Sequence, residues 1–162
     1  INLDYDIFVN VQGDEPLIDP DDIIKCIKYK IKYQNHIINS YNVINQNQDP
    51  NSINIPKVVT NKSDDLIYIS RSIIPGFKDS RLRPSYYLKQ VCIYAYNKTE
   101  LNQFLNYGGK SKIEESEDIE ILRFFELGLP IKMFKSKNDS LSIDVTQDIE
   151  LVENELKLRN KW

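Results

Sequence analysis

The chain has 162 residues, enough for one domain with its own core, and 41% hydrophobic with 28% charged residues argues against disorder. A formal net charge of -3, from 21 Lys and Arg against 24 Asp and Glu, gives no general attraction to nucleic acid. Two cysteines, Cys26 and Cys92, are too few for a disulfide scaffold and read as buried free thiols, and the single histidine, His36, leaves almost nothing for a histidine zinc site or a Ser-His-Asp triad.

In chain order, the first element read is a strand over residues 7–11, which runs directly into Gln12, Gly13, Asp14, Glu15 and Pro16. Asp19 fits an N-cap with Pro20 at the first helical position, and Ile23, Ile24, Ile27 and Ile31 recur at helical spacing, so an amphipathic helix is expected from 20 to about 34. Residues 37–44 read as a second strand, and the Asn- and Gln-rich run at 46–52 as a loop. Residues 57–60 and 66–70 form an expected hairpin around NKSDD. Pro75, Gly76 and Pro84 keep 71–87 irregular, and 90–96 (QVCIYAY) reads as a strand.

Thr99 is the expected cap of a short helix ended by Gly108-Gly109. Ser111 and Glu114 fit a capping box that opens a helix from 112 to about 127, with Gly128 as its C-cap. Short strands follow at 131–134 and 141–143, the second reaching Asp144, and a closing helix carries Ile149, Val152 and Leu156 on one face. No stretch is long and apolar enough to span a membrane and no secretory signal opens the chain, so a cytoplasmic protein is expected. A chain that begins at Ile1 and enters a strand within a few residues reads as a fragment of something longer.

Two segments share a design: Asp14 follows one expected strand and Asp144 another. Ligands of open α/β sheets bind outside the carboxyl ends of strands, and two carboxylates held close together repel unless a cation separates them. Mg²⁺ suits such a pair, since it takes oxygen ligands and is held by one or two carboxylates with substrate phosphates. Singly, neither position is diagnostic: Asp14 reads first as a turn residue and Asp144 as a helix cap.

VNVQGDEPLI at 9–18 resembles the signature of the 3-deoxy-manno-octulosonate cytidylyltransferases, the CMP-Kdo synthetases. Further matches follow in order: Asp49-Pro50-Asn51 with Lys57-Val58-Val59, LIYISRSIIP at 66–75, IYAY at 93–96, IEESEDIEILR at 113–123 and SIDVTQDIE at 142–150. The resemblance implies a Rossmann-like α/β nucleotidyltransferase fold: a mixed, mostly parallel sheet flanked by helices, with 1–162 as the C-terminal part of one cytidylyltransferase domain whose first strands are missing. It implies transfer of CMP from CTP to an acidic 2-keto sugar with release of pyrophosphate, and a homodimer. By the same resemblance Asp14 and Asp144 are catalytic metal ligands for Mg²⁺, and Gln12, Arg71, Gln90, Tyr94, Glu117 and Glu120 bind substrate.

Read without it, Tyr94 is equally a sheet-core residue, and Glu114, Glu117 and Glu120 a solvated helix face with Glu114 as a cap. The chain departs from the family pattern at Gln90, where His is usual, at Cys92 for Gly, at Ile121 for Gln, and at Ser142 and Val145. These changes raise a sialic-acid-like nonulosonate as the alternative acceptor; a non-catalytic nucleotide- or sugar-binding relative is the third reading. The family's upstream nucleotide-binding signature is absent, so this chain alone is expected to be inactive.

Overall fold

The structure, a computed structural model, describes residues 5–138, 140–143 and 146–158. Strand β1 (Phe8–Val11) leads through the Gln12–Asp19 loop to α1 (Pro20–Lys32). The Asp19 carboxylate accepts from the Asp21 N–H at 2.9 Å, Pro20 occupies the first turn, and acidic Asp21 and Asp22 oppose basic Lys30 and Lys32 at the far end, as the helix dipole favours. Strand β2 (Ile37–Val43), the hairpin of β3 (Lys57–Thr60) and β4 (Leu66–Ser70), and β5 (Leu88–Tyr96) follow.

Helix α2 (Lys98–Asn106) starts earlier than expected: Asn97, not Thr99, is its cap. The Asn97 side chain accepts from the Glu100 N–H, and the Glu100 carboxylate accepts from the Asn97 N–H, both at 2.8 Å. Lys30, buried on α1, donates to both Glu100 oxygens at 2.7 Å and to the carbonyls of Gln34 and His36, tying α1 to α2.

The single helix expected over 112–127 is two helices, α3 (Lys112–Glu117) and α4 (Ile121–Glu126). The Ser111–Glu114 capping box opens α3 as read, but Asp118 sits in the left-handed region at φ 50. The cause lies far away in sequence. Arg71 takes the carbonyl of Glu117 with Nε (2.6 Å) and that of Asp118 with Nη2 (3.1 Å), acceptors a continuous helix would have used itself. Strand β6 (Ile131–Lys135) and α5 (Thr146–Leu158) complete the described elements. On α5, Val152 is buried while Ile149 is exposed. Residues 141–143, expected as a strand, are irregular, because the Ile143 N–H goes to the carbonyl of Asp14 (2.8 Å) in a loop.

The sheet order is β4-β3-β5-β2-β6, with β1 also on β5. It is mixed and flanked by helices, yet among the described residues only β2 and β6 pair in parallel and the other ladders are antiparallel. The expected parallel majority is not found among the described strands: β1 and β2, joined by the α1 crossover, run the same way but are held apart by β5, which runs against both, and the β3–β4 hairpin adds two more antiparallel ladders. Side chains alternate across it. Ile38, Val91, Ile93 and Ala95 pack with Cys26 of α1 on one face, and Ile37, Tyr94 and Tyr96 with Leu122 and Phe124 of α4 on the other. Both cysteines are free; burial pushes the Cys26 thiol up to about 12.

Strand β2 covers one edge of β5. The other edge is shared, with β1 against Ile93–Tyr96 and β3 against only Leu88 and Lys89. Between them the edge of β5 opens at Gln90 to Cys92.

Candidate active site

At this opening the β1 loop turns inward. The Gln12 N–H donates to the Cys92 carbonyl (3.2 Å), the Gln90 N–H to the Pro56 carbonyl (3.0 Å), and the Cys92 N–H to Glu15 Oε1 (2.7 Å). The result is a cleft of about 160 Å³ built from four separated stretches: Gln12, Asp14 and Glu15; Arg71; Lys89, Gln90, Cys92 and Tyr94; and Asp118 to Glu120. Ser140 and Ser142, together with Gln48 and residues 54–56, close its sides.

Six of the eight residues expected from the sequence therefore meet: Gln12, Asp14, Arg71, Gln90, Tyr94 and Glu120 all line this cleft. Gln90 and Tyr94 share one face of β5 with Cys92 by simple alternation. Tyr94 is a sheet-core residue, its ring stacked on Tyr96 (centroids 6.2 Å apart, 9° between planes), and it also lines the cleft. Burial holds the Tyr94 phenol well above its ordinary range, so it stays protonated. Gln90 is oriented from beneath: its Nε2 donates to Asn39 Oδ1 (3.0 Å), and Asn39 is itself anchored by donation to the carbonyls of Val91 and Ile93.

Glu117 does not line the cleft. Its carboxylate is turned toward β4, accepting from Ser70 Oγ (2.6 Å), the Arg71 N–H (2.8 Å) and Tyr68 Oη (3.4 Å). Arg71 gives Nη1 to the Ile53 carbonyl (2.9 Å) besides its bonds to Glu117 and Asp118. Three of the roughly five N–H donors of a guanidinium are thus fixed on backbone, which sets its plane at the cleft wall. Asp144 lies outside the described residues, so its expected pairing with Asp14 has no geometry here; the neighbouring Ile143 is held on the Asp14 carbonyl at 2.8 Å. Ile121, at a position of departure, is buried in the core beneath Tyr94 and Tyr96.

Three contributors went unread in the sequence. Glu15 is buried in the cleft beside the recognised Asp14. Lys89 is buried too and donates to the Ser140 carbonyl (2.8 Å). Lys57, fully buried, donates to the carbonyls of Ser52 (2.8 Å) and Arg71, and burial lowers its pKa. A lysine within an apolar strand was the available signal for the last two.

Mg²⁺ takes hard oxygen donors, and the cleft presents carboxylates. Asp14 is an exposed carboxylate at a strand tip, and Glu15 adds a carboxylate oxygen next to it. Among the described residues no group of three or more His, Cys, Asp or Glu side chains is placed to hold a metal by itself.

Residues 1–149 match the family model described as cytidylyltransferase. The chain belongs to the cytidylyltransferase family. It is 36% identical over 152 residues to the 3-deoxy-manno-octulosonate cytidylyltransferase of Christiangramia forsetii, spanning 92% of this chain and 60% of that one. Against the protein of the same description from Koribacter versatilis it is 34% identical over 155 residues, spanning 96% and 58%. The chain therefore spans about 60% of the length of the curated relatives it matches. A solved CMP:2-keto-3-deoxy-manno-octonic acid synthetase complexed with CTP superposes with a TM-score of 0.83 at 28% identity, over 97% of this chain and 64% of that one. The inositol-1-phosphate CTP transferase from T. maritima, with TM-score 0.62 and 18% identity over 96% of this chain and 56% of that one, shares the fold alone. In this chain the cleft lies where two strands part along one edge of β5, and no described helix is long and apolar enough to cross a membrane.

Proposed function

We propose that this cleft belongs to an enzyme that couples CTP to an acidic 2-keto sugar, 3-deoxy-manno-octulosonate or a close analogue, giving CMP-sugar and pyrophosphate. The observation that carries the reading is the convergence of Gln12, Asp14, Arg71, Gln90, Tyr94 and Glu120 on one cleft. It is supported by the CTP-bound relative that superposes over 97% of the chain.

In such a transfer the sugar hydroxyl oxygen bonds to the α-phosphorus, the bond from that phosphorus to the β-phosphate oxygen breaks, and the hydroxyl proton passes to solvent. The protein positions the partners and meets the charge that develops on phosphate oxygens. Asp14, with Asp144, would hold Mg²⁺, which when bound screens the phosphate and lowers the pKa of the hydroxyl. Arg71, its plane set by three carbonyls, faces the anionic acceptor with its remaining donors. Gln90, held by Asn39 through its NH₂ group, offers its carbonyl oxygen, and the protonated Tyr94 phenol can donate. The Glu117 carboxylate acts at one remove, holding the end of β4 through Ser70 Oγ and the Arg71 N–H.

A sialic-acid-like nonulosonate is the second acceptor reading, favoured by Gln90 in the cleft and by Ile121 in the core rather than at the wall. The homodimer implied by the resemblance is supported by the exposed Phe77, Leu82 and Tyr86 of the 71–87 segment, and light scattering after size exclusion tests it. Pyrophosphate release from CTP, measured with the full-length protein and a panel of acidic keto sugars, is expected for at least one acceptor and to require Mg²⁺. Asp14→Asn is expected to reduce turnover at least a hundredfold, as loss of a charge-stabilising group does. Turnover unaffected by this change would remove the metal role.

A further inference from the structure

Glu15 is a buried carboxylate of the cleft, and only one of its two oxygens has a backbone partner. It is only 6% exposed. Its N–H donates to the Gln12 carbonyl and its carbonyl accepts from the Ile18 N–H, both at 3.3 Å, so the backbone cannot easily swing the side chain away. Oε1 is held by the Cys92 N–H at 2.7 Å, closing the β1–β5 ladder at the point where the strands part. Oε2 is buried and has no hydrogen-bond partner among the described residues. Burial, with the neighbouring Glu15 carboxylate and a hydrogen bond to it, holds the Cys92 thiol protonated, but an S–H is a weak donor and leaves most of the acceptor capacity of the carboxylate unused. A buried carboxylate oxygen left unpaired costs stability, and in a cleft a bound ligand is one partner that can complete it.

We propose that Glu15 is a specificity-determining residue of this cleft, its Oε2 accepting a hydrogen bond from a hydroxyl group of the acceptor sugar. The inference rests on the cytidylyltransferase reading above and adds a contact that the motif comparison did not assign. Two other occupants offer matching chemistry, a divalent cation and a ribose hydroxyl of the nucleotide. The cation is disfavoured by position: Mg²⁺ keeps several waters, which the exposed Asp14 tip accommodates and the buried Glu15 oxygen does not. The ribose is disfavoured by company. Glu15 sits against Cys92, in the β5 row of Gln90, Cys92 and Tyr94, two of whose members are the acceptor-binding residues of the proposed function.

The test compares the full-length wild-type protein with Glu15→Gln, which keeps the shape and the acceptor for the Cys92 N–H but removes the charge. Steady-state kinetics are run against acceptor, CTP and Mg²⁺ separately, with a deoxy series of the acceptor and a melt of the ligand-free protein. Loss of a hydrogen bond to a charged group should raise the acceptor KM about tenfold to a hundredfold. The KM for CTP and the Mg²⁺ dependence should be unchanged, the melting temperature not lowered, and the KM penalty should vanish for the one deoxy acceptor that lacks the recognised hydroxyl. An unchanged acceptor KM, whatever the melting temperature does, would reduce Glu15 to a cap on the ladder and overturn the proposal. A shift in CTP KM or in Mg²⁺ dependence in place of acceptor KM overturns it as well. Glu15→Asp, which keeps the charge but shortens the reach, should give the same acceptor-selective rise and decides the matter if Glu15→Gln does not fold. Wild-type protein that releases no pyrophosphate with any acceptor defeats the cytidylyltransferase reading itself, and this inference with it.

Discussion

Glu117→Ala separates a positioning residue from a substrate contact. The carboxylate of Glu117 accepts from Ser70 Oγ at 2.6 Å and the Arg71 N–H at 2.8 Å, with Tyr68 Oη further off at 3.4 Å. Hydrogen bonds to a charged group are worth about 1.5–3 kcal/mol each, and the Ser70 hydroxyl can rotate to recover part of its loss. A net cost of about 2–4 kcal/mol follows, and for a chain of this length each kcal/mol lowers the melting temperature by roughly 2–4 °C. The expected fall is therefore about 4–16 °C, read by thermal melting and by the urea midpoint. Glu117→Gln, which keeps an acceptor oxygen but not the charge, should lose about half as much. Catalytically, the guanidinium of Arg71 is held by backbone carbonyls rather than by the Glu117 side chain, so Glu117→Gln should alter the acceptor KM less than threefold. A Glu117→Ala protein as stable as wild type, yet tenfold weaker toward the acceptor, would refute this: Glu117 would then contact substrate directly.

Two further changes probe the frame behind the cleft. Lys30→Met leaves Glu100 as a buried charge whose main partner is gone and should cost about 3–5 kcal/mol, with part recovered in the double variant with Glu100→Gln. Denaturation curves that overlay with wild type would show the pair to be dispensable. For Glu114, burial alone would raise the carboxyl pKa, but the Arg123 guanidinium, with both contacts at 2.6 Å, and the Ser111 N–H outweigh it and hold it below the ordinary 4.5. A depressed carboxyl stabilises the fold above its unfolded pKa, and the contribution disappears as pH falls through the folded one. The stability gap between wild type and Glu114→Gln should accordingly be largest near neutral pH and shrink in acid; a constant gap from pH 7 to about 3 would contradict the assignment.

What the sequence determined by itself is whatever its own neighbours enforce. Asp19 with Pro20, the Ser111–Glu114 box and the hairpin at 57–60 and 66–70 stand where they were read, because caps, turns and alternation act over a few residues. Six of the eight residues that the motif resemblance singled out line one cleft, and alternation along β5 alone puts Gln90 and Tyr94 on a common face. The parts decided by tertiary structure all involve a partner distant in sequence. Strand β5 enters between β1 and β2 and turns a sheet expected to be mostly parallel into a mostly antiparallel one. Arg71 captures the carbonyls of Glu117 and Asp118, breaking one expected helix into two. Glu117 and Glu120, three apart and on one side of an unbroken helix, are sent by that break to opposite tasks, one behind β4 and one into the cleft. Short-range preference cannot anticipate this, since a backbone carbonyl accepts from whichever donor the folded chain delivers to it, and that donor lies more than forty residues upstream.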